Sequence, residues 1–174
     1  MSIIIEHNLP LQHVGMGQLS VGTQGEQLQA LLGSCIGIGF IWKNGPCCGL
    51  AHCLLPEAPG VEPSLGARYV SQAVPSLLRL MGVRQADYAD IEVVLAGGAS
   101  MFGPRNGRLQ VGRQNAEAAQ KYLDQCGLHV SFCALGGRHG RQLLIDCARH
   151  SYAVTDVVAQ PELIPRKEGA YGYA

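Results

Sequence analysis

The sequence predicts a single α/β domain that is rich in strands and turns. Its 174 residues suit one domain with a substantial hydrophobic core. Short apolar or alternating segments bounded by glycine and proline are typical of strands, and two longer segments carry the 3.6-residue period of helices. Glycine is frequent, with 23 residues, and charged residues make up only 15%. This composition indicates strands, turns and many close-packed or positive-φ backbone positions.

The balance of charge and the length of the apolar segments argue against a nucleic-acid binder and against a membrane protein. The 13 basic residues equal the 13 acidic ones, so the chain lacks the electrostatic footprint of a nucleic-acid or membrane-surface binder. It has no apolar run of the roughly 18 residues that membrane insertion requires, and its N-terminal segment does not resemble a signal peptide. We therefore expect a cytoplasmic protein with no nucleic-acid partner. In a reducing compartment, most of its seven cysteines are expected to be small buried hydrophobic residues.

The first half of the chain predicts four strands. Alternation or continuous apolar character marks residues 12–21, 26–32, 36–42 and 47–55. A turn at residues 23–25 separates the first two strands. The last two are predicted to form a hairpin about Asn44-Gly45, because residues 43–46 are strong turn formers.

The second half predicts two helices and four further strands. Ser64 is a candidate N-cap for a helix over residues 65–81, in which Pro75 is expected to cause a kink or a restart and which Gly82 ends. The second helix is predicted over residues 115–125. The strands are predicted at residues 91–96, 128–135, 141–147 and 152–158. We expect the domain to span residues 1–160, followed by a flexible C-terminal tail over residues 161–174.

Cys35 and His52 form the candidate catalytic pair. In the predicted hairpin they lie roughly level, and a thiol facing an imidazole is the minimum requirement for a cysteine nucleophile with a general acid and base. Cys35 follows Gly33-Ser34 at the start of a strand, where backbone N–H groups can form an oxyanion hole. Glycines at positions 37 and 39 are expected to leave room for a substrate chain. The plainer interpretation, two ordinary core residues, stays open on these grounds.

Metal and cofactor sites find little support in the sequence. Four residues with metal-ligating side chains lie close together, namely Cys47, Cys48, His52 and Cys53. No Cys-x-x-Cys pair occurs among them, and adjacent residues of a strand point to opposite faces. Gly97-Gly98 follows a predicted strand without a complete phosphate-binding motif, so a tight turn is favoured. We predict neither a metal nor a cofactor.

The segments L-G-S-C-I-G at residues 32–37 and G-L-A-H-C-L-L-P at residues 49–56 resemble the CheD family of chemoreceptor glutamine deamidases. The resemblance extends over about residues 12–158. Further matching segments are Arg68-Tyr69, Pro75–Leu78, Gly97–Met101, Val111-Gly112, Asn115, Gly136-Gly137 and Gly140-Arg141.

The resemblance implies a fold and a reaction. The fold is a single compact domain with mixed β-sheets flanked by two or three helices, similar to bacterial deamidating toxins. The reaction is the hydrolysis of glutamine side chains on methyl-accepting chemotaxis receptors to glutamate. Cys35 would form a thioester, and His52 would hold the thiol as a thiolate and protonate the leaving ammonia. The backbone N–H of Cys35 is the candidate oxyanion donor, with Ser34 nearby. A CheC-type phosphatase is the implied partner.

Two positions depart from the family pattern. Gln29 stands where the family usually has a catalytic threonine, six residues before the cysteine. It is expected to orient His52 by a hydrogen bond, to mimic a substrate inside the site, or to signal reduced activity. Ala134 lies two residues before Gly136-Gly137, where the family often has an acidic residue. Gln29 in place of the threonine motivates the alternative function, a non-catalytic or weakly active adaptor that binds chemoreceptors or a CheC-type phosphatase. Faster alkylation of Cys35 than of the other cysteines would favour the enzyme.

Overall fold

A computed structural model describes residues 9–61, 63–100 and 110–158, and it contains two β-sheets and two α-helices. The predicted tail at residues 161–174 lies outside the described residues. The strands are β1 (Leu11–His13), β2 (Leu19–Thr23), β3 (Gln27–Leu32), β4 (Ile36–Trp42), β5 (Cys47–Cys53), β6 (Ile91–Gly97), β7 (Val130–Leu135), β8 (Gly140–Asp146) and β9 (Ser151–Val157). The helices are α1 (Val70–Met81), a 3₁₀ helix (Gln85–Asp90) and α2 (Val111–Cys126).

Both sheets are mixed. The five-stranded sheet has the order β2-β5-β4-β6-β7, and the four-stranded sheet has the order β1-β3-β8-β9. One edge pair in each sheet is parallel, β6 with β7 and β1 with β3, and the other pairs are antiparallel. The predicted α/β class with mixed sheets and two or three helices is confirmed.

The two faces of β4 pack against different layers of the domain. Ile36, Ile38 and Phe40 are fully buried in a core that α1 and α2 complete. The opposite face of the five-stranded sheet shares a second core with residues of the other sheet, among them Leu28 and Ile145. The domain therefore has three layers: the helices, the five-stranded sheet and the four-stranded sheet. Because β4 and β5 are covered on both faces, their sequences are continuously apolar.

The glycines of β4 serve close packing of the two sheets. A Cβ at Gly37 would lie 2.7 Å from Leu32 Cδ1 and 3.3 Å from Leu143 Cδ2. A Cβ at Gly39 would lie 2.8 Å from Ile145 Cδ1. The expectation that these glycines leave room for a substrate was wrong, because side chains of the four-stranded sheet fill that space.

Residues 12–21 form two strands instead of the single predicted one. β1 pairs with β3 in the four-stranded sheet, whereas β2 pairs with β5 in the five-stranded sheet. The chain therefore crosses between the sheets, and Gly17 takes a positive φ of 76° in the crossing. Val14 lies in this crossing, where its N–H donates to the carbonyl of Gln29 (2.8 Å).

Helix α1 begins at Val70, several residues later than predicted, and Tyr69 is its N-cap in place of Ser64. The residue before the helix, Tyr69, forms an isolated parallel bridge with Leu55, two residues after the end of β5. The N–H of Leu55 donates to the Arg68 carbonyl (3.0 Å), and Val70 N–H donates to the Leu55 carbonyl (2.9 Å). Pro75 lies inside α1 without dividing it, and Gly82 ends the helix at a φ of 71°, as predicted.

Helix α2 also differs from its predicted bounds, since it begins at Val111, four residues before Asn115. Within the described ranges, neither helix combines the length and apolar character needed to span a membrane.

Candidate active site

The β4–β5 hairpin sets the relation between Cys35 and His52. The predicted centre at Asn44-Gly45 is confirmed, since Ile41 pairs with Cys48 and Ile36 with Cys53. His52 pairs with Gly37, so Cys35 is two residues out of register with it. The two residues are therefore diagonal neighbours on one face, rather than level as predicted. Cys35 lies one residue beyond Ile36, the last residue of β4 that pairs with β5.

The shared face of Cys35 and His52 looks toward the four-stranded sheet. Cys35 is 5% exposed and joins the core between the sheets, and His52 is 4% exposed. Both groups are thus removed from bulk water, where interactions between polar atoms are stronger.

The turn that carries Cys35 is held by the segment that follows β6. Gly98 N–H donates to the Cys35 carbonyl and Ala99 N–H donates to the Gly33 carbonyl, both at 2.9 Å. Gly97 has a φ of 104°, and a Cβ there would collide with the Cys35 carbonyl oxygen. Gly97 ends β6 and Gly98 follows it, both at positive φ, and their contacts hold the backbone of the candidate nucleophile.

The carbonyl of Val14 orients His52. His52 Nδ1 lies 2.9 Å from the Val14 carbonyl oxygen. A carbonyl only accepts hydrogen bonds, so Nδ1 carries the proton and Nε2 is the basic nitrogen of the neutral ring. Nε2 is buried and has no hydrogen-bond partner among the described residues.

Burial keeps both groups neutral in the resting site. Desolvation raises the pKa of the Cys35 thiol, and the Cys35 backbone N–H partly opposes this. Desolvation also lowers the pKa of His52, against the smaller effect of the Val14 carbonyl. The resemblance implies a resting thiolate, whereas these shifts favour a neutral thiol beside a neutral imidazole.

Gln29 and Ser34 contribute to the site through their backbones. Gln29 is half-buried on β3 and alternates with Leu28 and Ala30, which face the core between the sheets. Its carbonyl accepts the Val14 N–H, so the connection from Gln29 to His52 runs through the main chain of Val14. Of the alternatives expected for Gln29, the hydrogen bond to His52 was wrong: Nδ1 bonds to the Val14 carbonyl, and Nε2 has no partner among the described residues. The Ser34 carbonyl accepts a hydrogen bond from Asn115 Nδ2 (3.1 Å).

Two contributors were not identified as site residues from the sequence. Nothing in the sequence distinguishes the Val14 carbonyl, because every residue has a backbone carbonyl. Asn115 was noted only as part of the resemblance. A polar residue that interrupts the inner face of α2, where Ala119 and Leu123 are fully buried, is the signal that would have identified it.

The cluster of metal-ligating residues on β5 divides between the two faces of the sheet. Cys47 and Cys53 pack in the core under the helices, whereas Cys48 and His52 lie on the opposite face. In residues 9–61, 63–100 and 110–158, no three His, Cys, Asp or Glu residues are grouped to hold a metal ion. All seven cysteines are free thiols; Cys126 is half-buried, Cys133 is exposed and the others are buried.

A groove of about 690 Å³ lies beside the end of β5. Gly17, whose N–H donates to the His52 carbonyl (2.8 Å), lies at its edge. On the other side, the Arg68 guanidinium lies 5.7 Å from the centre of the Tyr69 ring. The groove adjoins the candidate site, although neither Cys35 nor His52 lines it.

The fold and the site together define a class: a helix-covered double β-sheet with a buried thiol and imidazole at the end of one hairpin. The model of the family described as CheD chemotactic sensory transduction matches residues 54–156. The chain belongs to the CheD family.

Individual relatives match over most of their length. The probable chemoreceptor glutamine deamidase CheD of Bdellovibrio bacteriovorus is 37% identical over 140 residues, which cover 79% of this chain and 90% of the relative. The probable chemoreceptor glutamine deamidase CheD 2 of a Ruegeria species is 34% identical, over 83% of this chain and 91% of the relative. The probable chemoreceptor glutamine deamidase CheD of Methanococcus maripaludis is 36% identical over 132 residues, which cover 76% of this chain and 86% of the relative.

Proposed function

We propose that this protein is a cytoplasmic chemoreceptor glutamine deamidase that uses Cys35 as its nucleophile. The observation that carries the proposal is the state of His52: its Nδ1 bonds to the Val14 carbonyl, and its basic Nε2 is buried with no hydrogen-bond partner among the described residues, on the sheet face that Cys35 shares. The names of the relatives support the substrate, since they describe chemoreceptor glutamine deamidases.

The first half of the reaction forms a thioester. Cys35 Sγ attacks the carboxamide carbon of the substrate while its proton passes to His52 Nε2. The electron pair of the C=O bond moves to oxygen, and the Cys35 backbone N–H stabilises that oxyanion. The intermediate then collapses, the C–N bond breaks, and the His52 imidazolium donates its proton to the departing nitrogen, which leaves as ammonia.

The second half hydrolyses the thioester. Neutral His52 takes a proton from water as the water attacks the thioester carbon. Collapse of this intermediate breaks the C–S bond, and the sulfur recovers its proton from His52. The product is a glutamate side chain, and both catalytic groups return to the neutral state favoured by burial.

Gln29 and Ser34 have supporting roles in this proposal. Gln29 holds the Val14 segment through its carbonyl, and Val14 in turn holds His52. Ser34 precedes the nucleophile, and its carbonyl anchors the Cys35 turn to α2.

The test is peptide-resolved mass spectrometry of a receptor cytoplasmic fragment incubated with the protein. Wild-type protein should give the mass increase of a Gln-to-Glu conversion at specific glutamines, and Cys35→Ala should not. An adaptor predicts the opposite pattern: no conversion by wild-type protein, with receptor binding unaffected by Cys35→Ala. A CheC-type phosphatase partner stays a prediction, which a pull-down with purified components tests separately.

A further inference from the structure

The hairpin that carries the candidate pair opens at its end. The last paired residues of β4 and β5 are Ile36 and Cys53. Beyond them the backbones bond elsewhere: the Cys35 carbonyl accepts from Gly98, and the Leu54 N–H donates to the Arg68 carbonyl (3.1 Å). The two strand ends therefore separate at the point where the thiol lies.

The side chain of Asn115 bridges this opening. Its Nδ2 donates one hydrogen bond to the Ser34 carbonyl and one to the Leu54 carbonyl, both at 3.1 Å. Ser34 immediately precedes Cys35, and Leu54 lies two residues after His52. Asn115 is fully buried, so these bonds are shielded from competition with water.

We propose that Asn115 is a positioning residue that fixes the separation between the Cys35 turn and the strand that carries His52. The inference rests on the proposed function, because its consequence is the geometry of the reacting pair. An amide nitrogen offers two N–H donors from one atom, which two carbonyl acceptors require. An ionised aspartate offers none, and a serine hydroxyl offers one.

Backbone contacts fix the position of Asn115. It lies near the start of α2, where Gly112 packs against the turn after β6; a Cβ at Gly112 would lie 2.5 Å from the Gly98 carbonyl oxygen. Gly98 also donates to the Cys35 carbonyl. Contacts therefore connect the helix, the segment after β6 and the Cys35 turn, and Asn115 links them to the chain just after the strand of His52.

The other amide atom of Asn115 gives an independent observation. Oδ1 is buried and has no hydrogen-bond partner among the described residues. The orientation of the amide is fixed, because the flipped amide would place Oδ1 against two carbonyl oxygens. A buried unpaired acceptor costs about 1–3 kcal/mol. The two bonds that Nδ2 donates offset this cost, and they are the contacts that require an amide at this position.

The test compares Asn115→Ala with Gln114→Ala, an exposed position on the same helix. Four quantities are measured: kcat and KM for receptor-fragment deamidation, the pH dependence of Cys35 alkylation resolved by peptide, and the melting temperature. Asn115→Ser, which keeps one hydrogen-bond donor, is the second variant, and it takes the place of Asn115→Ala if the alanine variant does not fold.

We expect Asn115→Ala to lower kcat on the order of 10²-fold, as a misplaced reacting group does, with KM changed by less than about threefold. It should also change the Cys35 alkylation profile, with Asn115→Ser intermediate and Gln114→Ala like wild type. A lower melting temperature with wild-type kcat and alkylation profile would overturn the inference. If wild-type protein does not deamidate receptors, yet Asn115→Ala changes the Cys35 profile, the proposed function fails and the positioning role stands.

Discussion

His52 Nδ1 lies 2.9 Å from the carbonyl oxygen of Val14, a residue 38 positions earlier in the chain. This bond fixes the tautomer that makes Nε2 the base, and it exists because the chain crosses between the sheets at Val14. The tautomer of the imidazole thus depends on a backbone atom.

The pH dependence of the reaction follows from this arrangement. Burial lowers the pKa of His52 from its ordinary value of 6.5, so its neutral, basic form persists in more acidic solution. The acid limb of kcat/KM, which reports groups of the free enzyme, should have its midpoint below pH 6.5. A midpoint above that value would contradict a desolvated neutral base.

The same shift makes stability sensitive to acid. The unfolded chain takes up a proton on His52 at about pH 6.5, and the folded protein does so only at lower pH. The free energy of unfolding should therefore fall as the pH drops below about 6.5 through the lowered pKa. Urea titrations at several pH values should show a smaller fall for His52→Gln; equal slopes for both proteins would refute this linkage.

Substitution of Gln29 should affect catalysis much less than substitution of His52. The Gln29 carbonyl supports Val14, and this backbone bond survives a change of side chain. We expect Gln29→Ala to reduce kcat by less than about tenfold, against roughly 10³-fold or more for His52→Ala. Comparable losses in both variants would show that the Gln29 side chain takes part in the chemistry.

Gly97 is predicted to support the nucleophile through its lack of a side chain. Gly97→Ala should cost about 1–2 kcal/mol for the positive φ and should also displace the Cys35 carbonyl, so that kcat falls with stability. Gly127→Ala is the matched control, because Gly127 has a φ of 75° and a Cβ there meets nothing within 4 Å. It should lose stability and keep kcat. Thermal melts and initial rates separate the two effects, and equal kcat in both variants would contradict this role of Gly97.

Alkylation should label Cys133 before Cys35. Cys133 is exposed, whereas Cys35 is buried and its pKa is raised, so little reactive thiolate is present at neutral pH. This reverses the expectation from the sequence, in which a catalytic Cys35 reacts fastest. Peptide-resolved labelling with iodoacetamide measures the order, and earlier labelling of Cys35 would indicate a resting thiolate.

The sequence was informative where local chemistry decides the structure. Apolar runs on either side of Asn44-Gly45 predicted the hairpin, and the hairpin brought Cys35 and His52 to one face. Contacts between segments that are far apart in the chain could not be predicted from the sequence. Helix α1 begins after Tyr69 rather than after Ser64, because Tyr69 bridges to Leu55 just beyond β5. The bond from Asn115 to Ser34 spans 81 positions, and no local pattern specifies it.

The most direct test of the central claim is the deamidation rate of a matched pair of cysteine variants on one receptor fragment. We expect Cys35→Ser to lose at least about 10³-fold in kcat while its fold is retained, and Cys133→Ser to convert glutamine to glutamate at the wild-type rate. A Cys35→Ser protein that deamidates the fragment as fast as wild type would contradict the assignment of Cys35 as the nucleophile.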